Sequence, residues 1–66
     1  MWKTIYIADD MILANILKKK LKSKGIKAIL NKLELEKDEL NGNVKISVPM
    51  TEEKKALDII NKVLIY

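Results

Sequence analysis

The first residues of the chain alternate between apolar and polar side chains, which is the pattern of a half-buried β-strand. Ile5 and Ile7 fall on one face of this strand. Thr4 and Tyr6 fall on the other face. We therefore predict a strand over residues 4–8 that turns its isoleucines towards the core.

An amphipathic helix is predicted over residues 11–24. Either Asp9 or Asp10 can accept a hydrogen bond from the free N–H groups of its first turn, and the sequence leaves both open. Lysines crowd its last turns, where the negative end of the helix dipole favours them, and Gly25 supplies a left-handed end. The apolar residues recur at helical spacing and form one stripe, namely Leu13, Ala14, Ile16, Leu17 and Leu21.

Two further strands follow the helix. Residues 26–31 alternate like a strand, whereas residues 32–40 mix leucines with charged residues and fit either a longer strand or an irregular helical turn. Asn41-Gly42 is typical of a tight turn, so the strands on either side should be antiparallel neighbours. The third strand has inward positions at Val44, Ile46 and Val48 and ends at Pro49.

The last element is predicted to be a helix that begins at Thr51. This residue is a suitable N-cap, and the acidic side chains after it suit the positive end of a helix. Residues 63–66 alone could instead form a short strand. The apolar stripe of the helix consists of Ala56, Leu57, Ile60, Val63 and Leu64.

Together these elements predict one α+β domain over residues 1–66, with the order β-α-β-β-α of a ferredoxin-like or PII-like fold. A right-handed crossover places the third strand between the first two, giving a three-stranded antiparallel sheet of order 1-3-2 with both helices on one face. The predicted core side of the sheet carries Ile5, Ile7, Ala28, Leu30, Val44, Ile46 and Val48. The opposite face carries Trp2, Thr4, Tyr6, Ile29, Asn31, Lys45 and Ser47.

That second face is too apolar to suit water, and the first strand would be an unpaired edge. Self-association would cover both. Aromatic side chains are enriched at interface centres, so we identify Trp2, Tyr6 and Ile29 as candidate interface residues, with Trp2 and Tyr6 on the same face of the strand.

Several segments resemble a family of small bacterial proteins catalogued as signal-transducing domains of unknown function, which are similar in fold to the PII-type nitrogen regulators. The resemblance covers nearly the whole chain and implies a PII-like fold and a regulatory role, with no catalytic residue. The matching segments are Met1-Trp2-Lys3-Thr4-Ile5-Tyr6-Ile7-Ala8, Ala14-x-x-Leu17-x-x-x-Leu21-x-x-x-Gly25-Ile26, and Val44-x-Ile46-x-Val48-Pro49 with the later Ala56-Leu57.

The residue inventory offers little for catalysis. There is no Cys and no His, so a hydroxyl nucleophile would lack its usual base. Adjacent carboxylates at Asp9 and Asp10 are better explained by helix capping, and no glycine-rich phosphate loop is present. We therefore predict a protein that is not an enzyme and has no cofactor or metal. An acidic cluster lacks the spacing of a calcium loop and is expected to be solvated, namely Glu34, Glu36, Asp38 and Glu39.

The net charge is +4, and all 13 basic residues are lysines. Residues 18–27 contain six of them and no acid, a pattern typical of a solvated helix end but also able to meet nucleic-acid phosphates. The lack of arginine weakens the second interpretation, because arginine makes the bidentate contacts to phosphate and guanine. The candidate anion-contacting residues are Lys18, Lys19, Lys22, Lys24 and Lys27.

These patterns favour a non-enzymatic binding or regulatory module that acts through protein contacts, as a homodimer or with another protein. The alternative is a small nucleic-acid-binding domain that uses the lysine-rich helix end. The absence of cysteine, of a signal-peptide pattern and of a long apolar run predicts a cytoplasmic protein with no membrane partner.

Overall fold

The computed structural model describes residues 1–32 and 43–65. Its sheet has the order β1-β3-β2 with both pairs antiparallel, which confirms the predicted α+β, ferredoxin-like topology. The strands are β1 (Trp2–Ala8), β2 (Ile29–Lys32) and β3 (Val44–Pro49). The helices are α1 (Met11–Ser23) and α2 (Glu53–Leu64), and a 3-10 turn (Met50–Glu52) precedes α2.

Both helices pack against one face of the sheet, and the core lies between the two layers. The largest fully buried side chains come from the middle of α1 and from the central strand β3. Burying one such aliphatic side chain stabilises the fold by roughly 1.5–3 kcal/mol. Among the described residues, the buried apolar ones are Ala8, Ala14, Leu17, Leu21, Ile26, Val44, Ile46, Val48, Ala56 and Ile60.

Helix α1 begins at the second of the two aspartates. Asp10 has an extended backbone, and its carboxylate accepts a hydrogen bond of 2.8 Å from the Leu13 N–H. The Asp9 side chain points into solvent instead. The capping alternatives left open by the sequence are thus resolved in favour of Asp10.

The end of α1 is closed by two backbone hydrogen bonds around Gly25, which has a positive φ of 81°. The Gly25 N–H donates to the Lys22 carbonyl at 2.9 Å, and the Ile26 N–H donates to the Leu21 carbonyl at 3.0 Å. This pair of bonds is the Schellman motif, in which the residue after the glycine contacts the last helical turn. Ile26 is therefore part of the cap and the core, and β2 begins at Ile29 rather than at Ile26 as predicted.

A β-bulge in β1 changes which side chains reach the core. Thr4 pairs with Ser47 and Tyr6 pairs with Ile46, so Ile5 is an additional residue that opposes nothing on β3. Ile5 and Tyr6 both pack against the core, and Ile7 is shifted to the opposite face, where 47% of it is exposed. The predicted arrangement, with Ile7 inside and Tyr6 on the same face as Trp2, is wrong because it assumed unbroken alternation.

The start of α2 also differs from the prediction. Pro49, with φ near −57°, leads directly into the 3-10 turn, and this turn includes Thr51. The residue before α2 is Glu52, and its side chain makes no capping hydrogen bond. Thr51 is therefore not the N-cap.

The helical stripes are narrower than the sequence pattern predicted. Ile16 is 51% exposed on α1, and Leu57 and Leu64 are 38% and 40% exposed on α2. Ile59 packs against the core, although it is not one of the residues of the predicted stripe. A three-stranded sheet is wide enough to cover only the middle of each stripe.

Two predictions concern residues at the limits of the described segments. Lys32 is the last residue of β2, and residues 33–40 lie outside the described residues, as do the Asn41-Gly42 turn and the acidic cluster. At the other end, α2 continues to Leu64, and the backbone of Ile65 is helical. Residues 63–65 therefore do not form the alternative strand, and Tyr66 lies outside the described residues.

Replacing Gly25 with alanine should lower the free energy of unfolding by about 1–2 kcal/mol, because a Cβ disfavours the left-handed conformation. Nothing lies within 4 Å of an added Cβ, so the cost is conformational and not a clash. Urea denaturation measures this cost. Gly25→Asn is the control and should lose less, since asparagine tolerates a positive φ. Equal losses for the two variants would contradict the conformational explanation.

Replacing Asp10 with alanine should lower the free energy of unfolding by about 1 kcal/mol, because the Leu13 N–H loses its partner. Asp9→Ala is the matched control, with the same charge change one residue away, and should be nearly neutral. Thermal and urea denaturation would measure the free energy of unfolding of both variants. Equal destabilisation would show that charge at the helix start matters more than the hydrogen bond.

Candidate functional site

The face of the sheet that is turned away from the helices carries three large, partly exposed apolar side chains. Trp2 and Ile7 are each 47% exposed, and Ile29 is 39% exposed. They stand on the two outer strands, with Trp2 and Ile7 on β1 and Ile29 on β2. We call this surface the open face.

The centre of the open face is closely packed and polar. Ser47 on β3 lies in register between Thr4 on β1 and Ile29 on β2, and it is only 6% exposed. Its hydroxyl oxygen lies 3.3 Å from the Thr4 hydroxyl oxygen, at hydrogen-bond distance. This hydrogen bond offsets part of the cost of removing the Ser47 hydroxyl from water.

The sheet has an open edge along β1 and another along β2 within the described residues, since each strand pairs only with β3. Such edges can pair with another chain. The bulge at Ile5 interrupts the edge of β1. Beside it, the Lys3 ammonium lies 4.0 Å from the Glu53 carboxylate on α2, a distance at the limit of an ion pair. Neither feature favours continuous pairing along β1.

A groove of about 430 Å³ lies at the end of the sheet where β1 and β2 begin. We call it the basic groove, because three lysines line it together with an aromatic ring. Its lining residues are Trp2, Lys18, Lys22, Gly25, Ile26, Lys27, Ala28 and Ile29.

The topology explains why these residues meet. Helix α1 returns along the sheet from the end of β1, so its last turns reach the level at which β1 starts. Lys18 and Lys22 are four residues apart and therefore lie on the same side of the helix. The reversal at Gly25 then brings Lys27 and Ile29 back beside them.

The basic groove unites residues that the sequence assigned to two separate hypotheses. Trp2 and Ile29 were candidate interface residues, and they lie beside three of the candidate anion contacts. The other predicted residues are elsewhere. Tyr6 packs against the core, Lys19 lines neither this groove nor the next, and Lys24 lines a second groove with Lys20, Ile59, Lys62 and Val63.

The lysines of the basic groove are exposed. Across residues 1–32 and 43–65 there are two ion pairs, Lys3 with Glu53 and Asp58 with Lys62. Neither pair involves a lysine of this groove. The described part of the chain therefore presents three positive charges to solvent around one aromatic side chain.

Sequence reasoning missed the position of Ile7 and the contribution of Gly25 and Ala28 to the groove lining. The spacing of Lys18 and Lys22 and the glycine after the helix were signals that could have grouped the lysines. No local signal indicated that Trp2 would join them, because its place depends on pairing with Pro49 across the sheet.

No protein-family model matches the chain, and no curated protein or solved structure is significantly similar to it. The resemblance to signal-transducing domains therefore stays a prediction. Among the described residues, acidic side chains do not gather into a group that could hold a metal ion. Neither α1 nor α2 is long and apolar enough to cross a membrane.

Proposed function

We propose that the chain is a non-enzymatic binding or regulatory module that acts through protein contacts and associates with a second copy of itself through the open face. The observation that carries this proposal is the exposure of Trp2, Ile7 and Ile29 on a sheet face that no other described element covers. A partly apolar face of this kind is stabilised when a matching face excludes water from it.

The dimensions of the sheet limit how strong this association can be. Three strands about 4.8 Å apart, of seven, four and six residues, offer a face of roughly 280 Å². A standard protein interface needs about 800 Å² from each partner. The self-association should therefore be weak and reversible, as is usual for interfaces below the standard size. Rapid exchange of this kind suits a regulatory module.

Replacing Ile7 with lysine should weaken self-association by at least about tenfold, because it places a charge in the apolar contact and that charge must be desolvated. Sedimentation equilibrium from about 10 µM to 1 mM would measure the dissociation constants. The side chain of Ile7 points away from the core, so the variant should keep its fold.

The matched control for this experiment is Ile12→Lys. Ile12 is 74% exposed on α1, so the same chemical change is made away from the open face. Its dissociation constant should equal that of the unmodified protein. A protein that remains monomeric up to 1 mM, or an equal effect of both variants, would reject the open face as the interface.

A second candidate function is nucleic-acid binding, and the basic groove favours it. The sequence placed the lysine-rich helix end and the aromatic residues in different parts of the fold, whereas Lys18, Lys22, Lys27 and Trp2 line one groove. Lysines in such a groove attract phosphates and release bound counterions, which makes affinity depend steeply on salt.

The paired substitution Lys18→Gln and Lys22→Gln should weaken RNA binding and make the negative slope of log affinity against log salt shallower by about 1.4. Lys54→Gln with Lys55→Gln is the matched control, because it removes the same charge from exposed positions on α2. Fluorescence anisotropy with a labelled RNA of mixed sequence, at several salt concentrations, gives both slopes. Equal slopes would indicate diffuse attraction to the whole basic protein.

A further inference from the structure

We propose that the basic groove binds an unpaired nucleotide of a single-stranded nucleic acid, with a base stacked on Trp2 and the neighbouring phosphates held by Lys18, Lys22 and Lys27. This inference rests on the second candidate function and names its ligand class and its site. The groove shares Trp2 and Ile29 with the open face, so a base stacked on Trp2 would compete with self-association and does not depend on it.

The aromatic ring distinguishes this groove from two other lysine-lined grooves among the described residues. A second groove has Lys20, Lys24 and Lys62, and a third has Lys54 and Lys55, but neither is lined by an aromatic residue. About half of Trp2 is exposed, so ring area is available for contact. Single-strand binders combine such a stacking ring with a positively charged groove.

The chemistry favours a single strand over a duplex. The bases of a duplex are already stacked on one another, and a groove at the end of a small sheet offers no element that enters a duplex groove. An unpaired base presents its flat face to an aromatic side chain at little cost. The volume of about 430 Å³ falls within the range of roughly 300–1,000 Å³ that small-molecule-sized sites occupy.

Because the charged residues of the groove are lysines, we also expect it to bind nucleic acids of different base sequence. Lysine is a compact point charge on a flexible stem, whereas arginine makes fixed bidentate contacts to base edges. All three charges in the groove are lysines, so they can neutralise phosphates without reading bases. Three neutralised phosphates on a single strand correspond to a salt slope of about −2.

Trp2 is the only tryptophan of the chain, so its fluorescence reports directly on this site. The experiment titrates the full chain at low salt with an eight-nucleotide oligothymidylate, with a blunt duplex of the same length, and with a glutamate peptide of matching charge. We expect the single strand to quench Trp2 and to bind at least about tenfold more tightly than the duplex or the peptide.

Two variants separate stacking from simple apolar contact. Trp2→Phe keeps an aromatic ring and should retain most of the affinity in an anisotropy assay with labelled oligothymidylate. Trp2→Leu keeps an apolar side chain without a ring and should bind about tenfold more weakly. Circular dichroism melting of both variants checks that the fold is intact.

The outcomes distinguish failure of the site from failure of the function. Equal binding of single strand and duplex with no effect of Trp2→Leu would overturn the stacking site while leaving nucleic-acid binding standing. Tightest binding of the glutamate peptide would overturn it in favour of an acidic protein partner. No binding of any of the three probes would remove both the site and the second candidate function.

Discussion

The backbone reversal at Gly25 determines how the lysine-rich end of α1 lies relative to the start of β2. The N–H groups of Gly25 and Ile26 donate hydrogen bonds to carbonyls in the last turn of α1, and Ile26 thereby enters the core that contains Leu21. Only Lys27 and Ala28 then separate Ile26 from β2, so the lysine-rich helix end and the start of a strand are held close together by backbone geometry. A longer connection would let the lysines of α1 and Lys27 separate, and the basic groove would lose its shape.

The topology was predictable because it follows from local patterns and one handedness rule. Periods of two and of about 3.6 located the elements, and a right-handed crossover placed β3 in the centre. The face assignments in β1 were not predictable in the same way. A bulge at Ile5 exists only in relation to the register of β3, and the sequence of β1 alone carries no mark of it.

The candidate site was also predictable only in part, because some of its residues are close together in the sequence and one is distant. The lysines that share one side of α1 could be grouped from their spacing, and the glycine cap predicted that Lys27 would follow closely. Trp2 is distant from them in sequence and reaches the groove only through its pairing with Pro49. The sequence therefore identified most of the groove residues by type, but it assigned them to two different surfaces.

The packing of the core determines where two lysines of the groove lie. Leu17 and Leu21 are fully buried against the sheet, and Lys18 and Lys22 directly follow them on the helix. One residue along a helix turns the side chain by about 100°, so burial of the leucines directs both lysines to the rim of the sheet. Since the interior is closely packed, neither leucine can rotate out to move its neighbour. The packed core thus fixes the backbone positions of Lys18 and Lys22, and their flexible stems let the exposed ammonium groups follow a ligand.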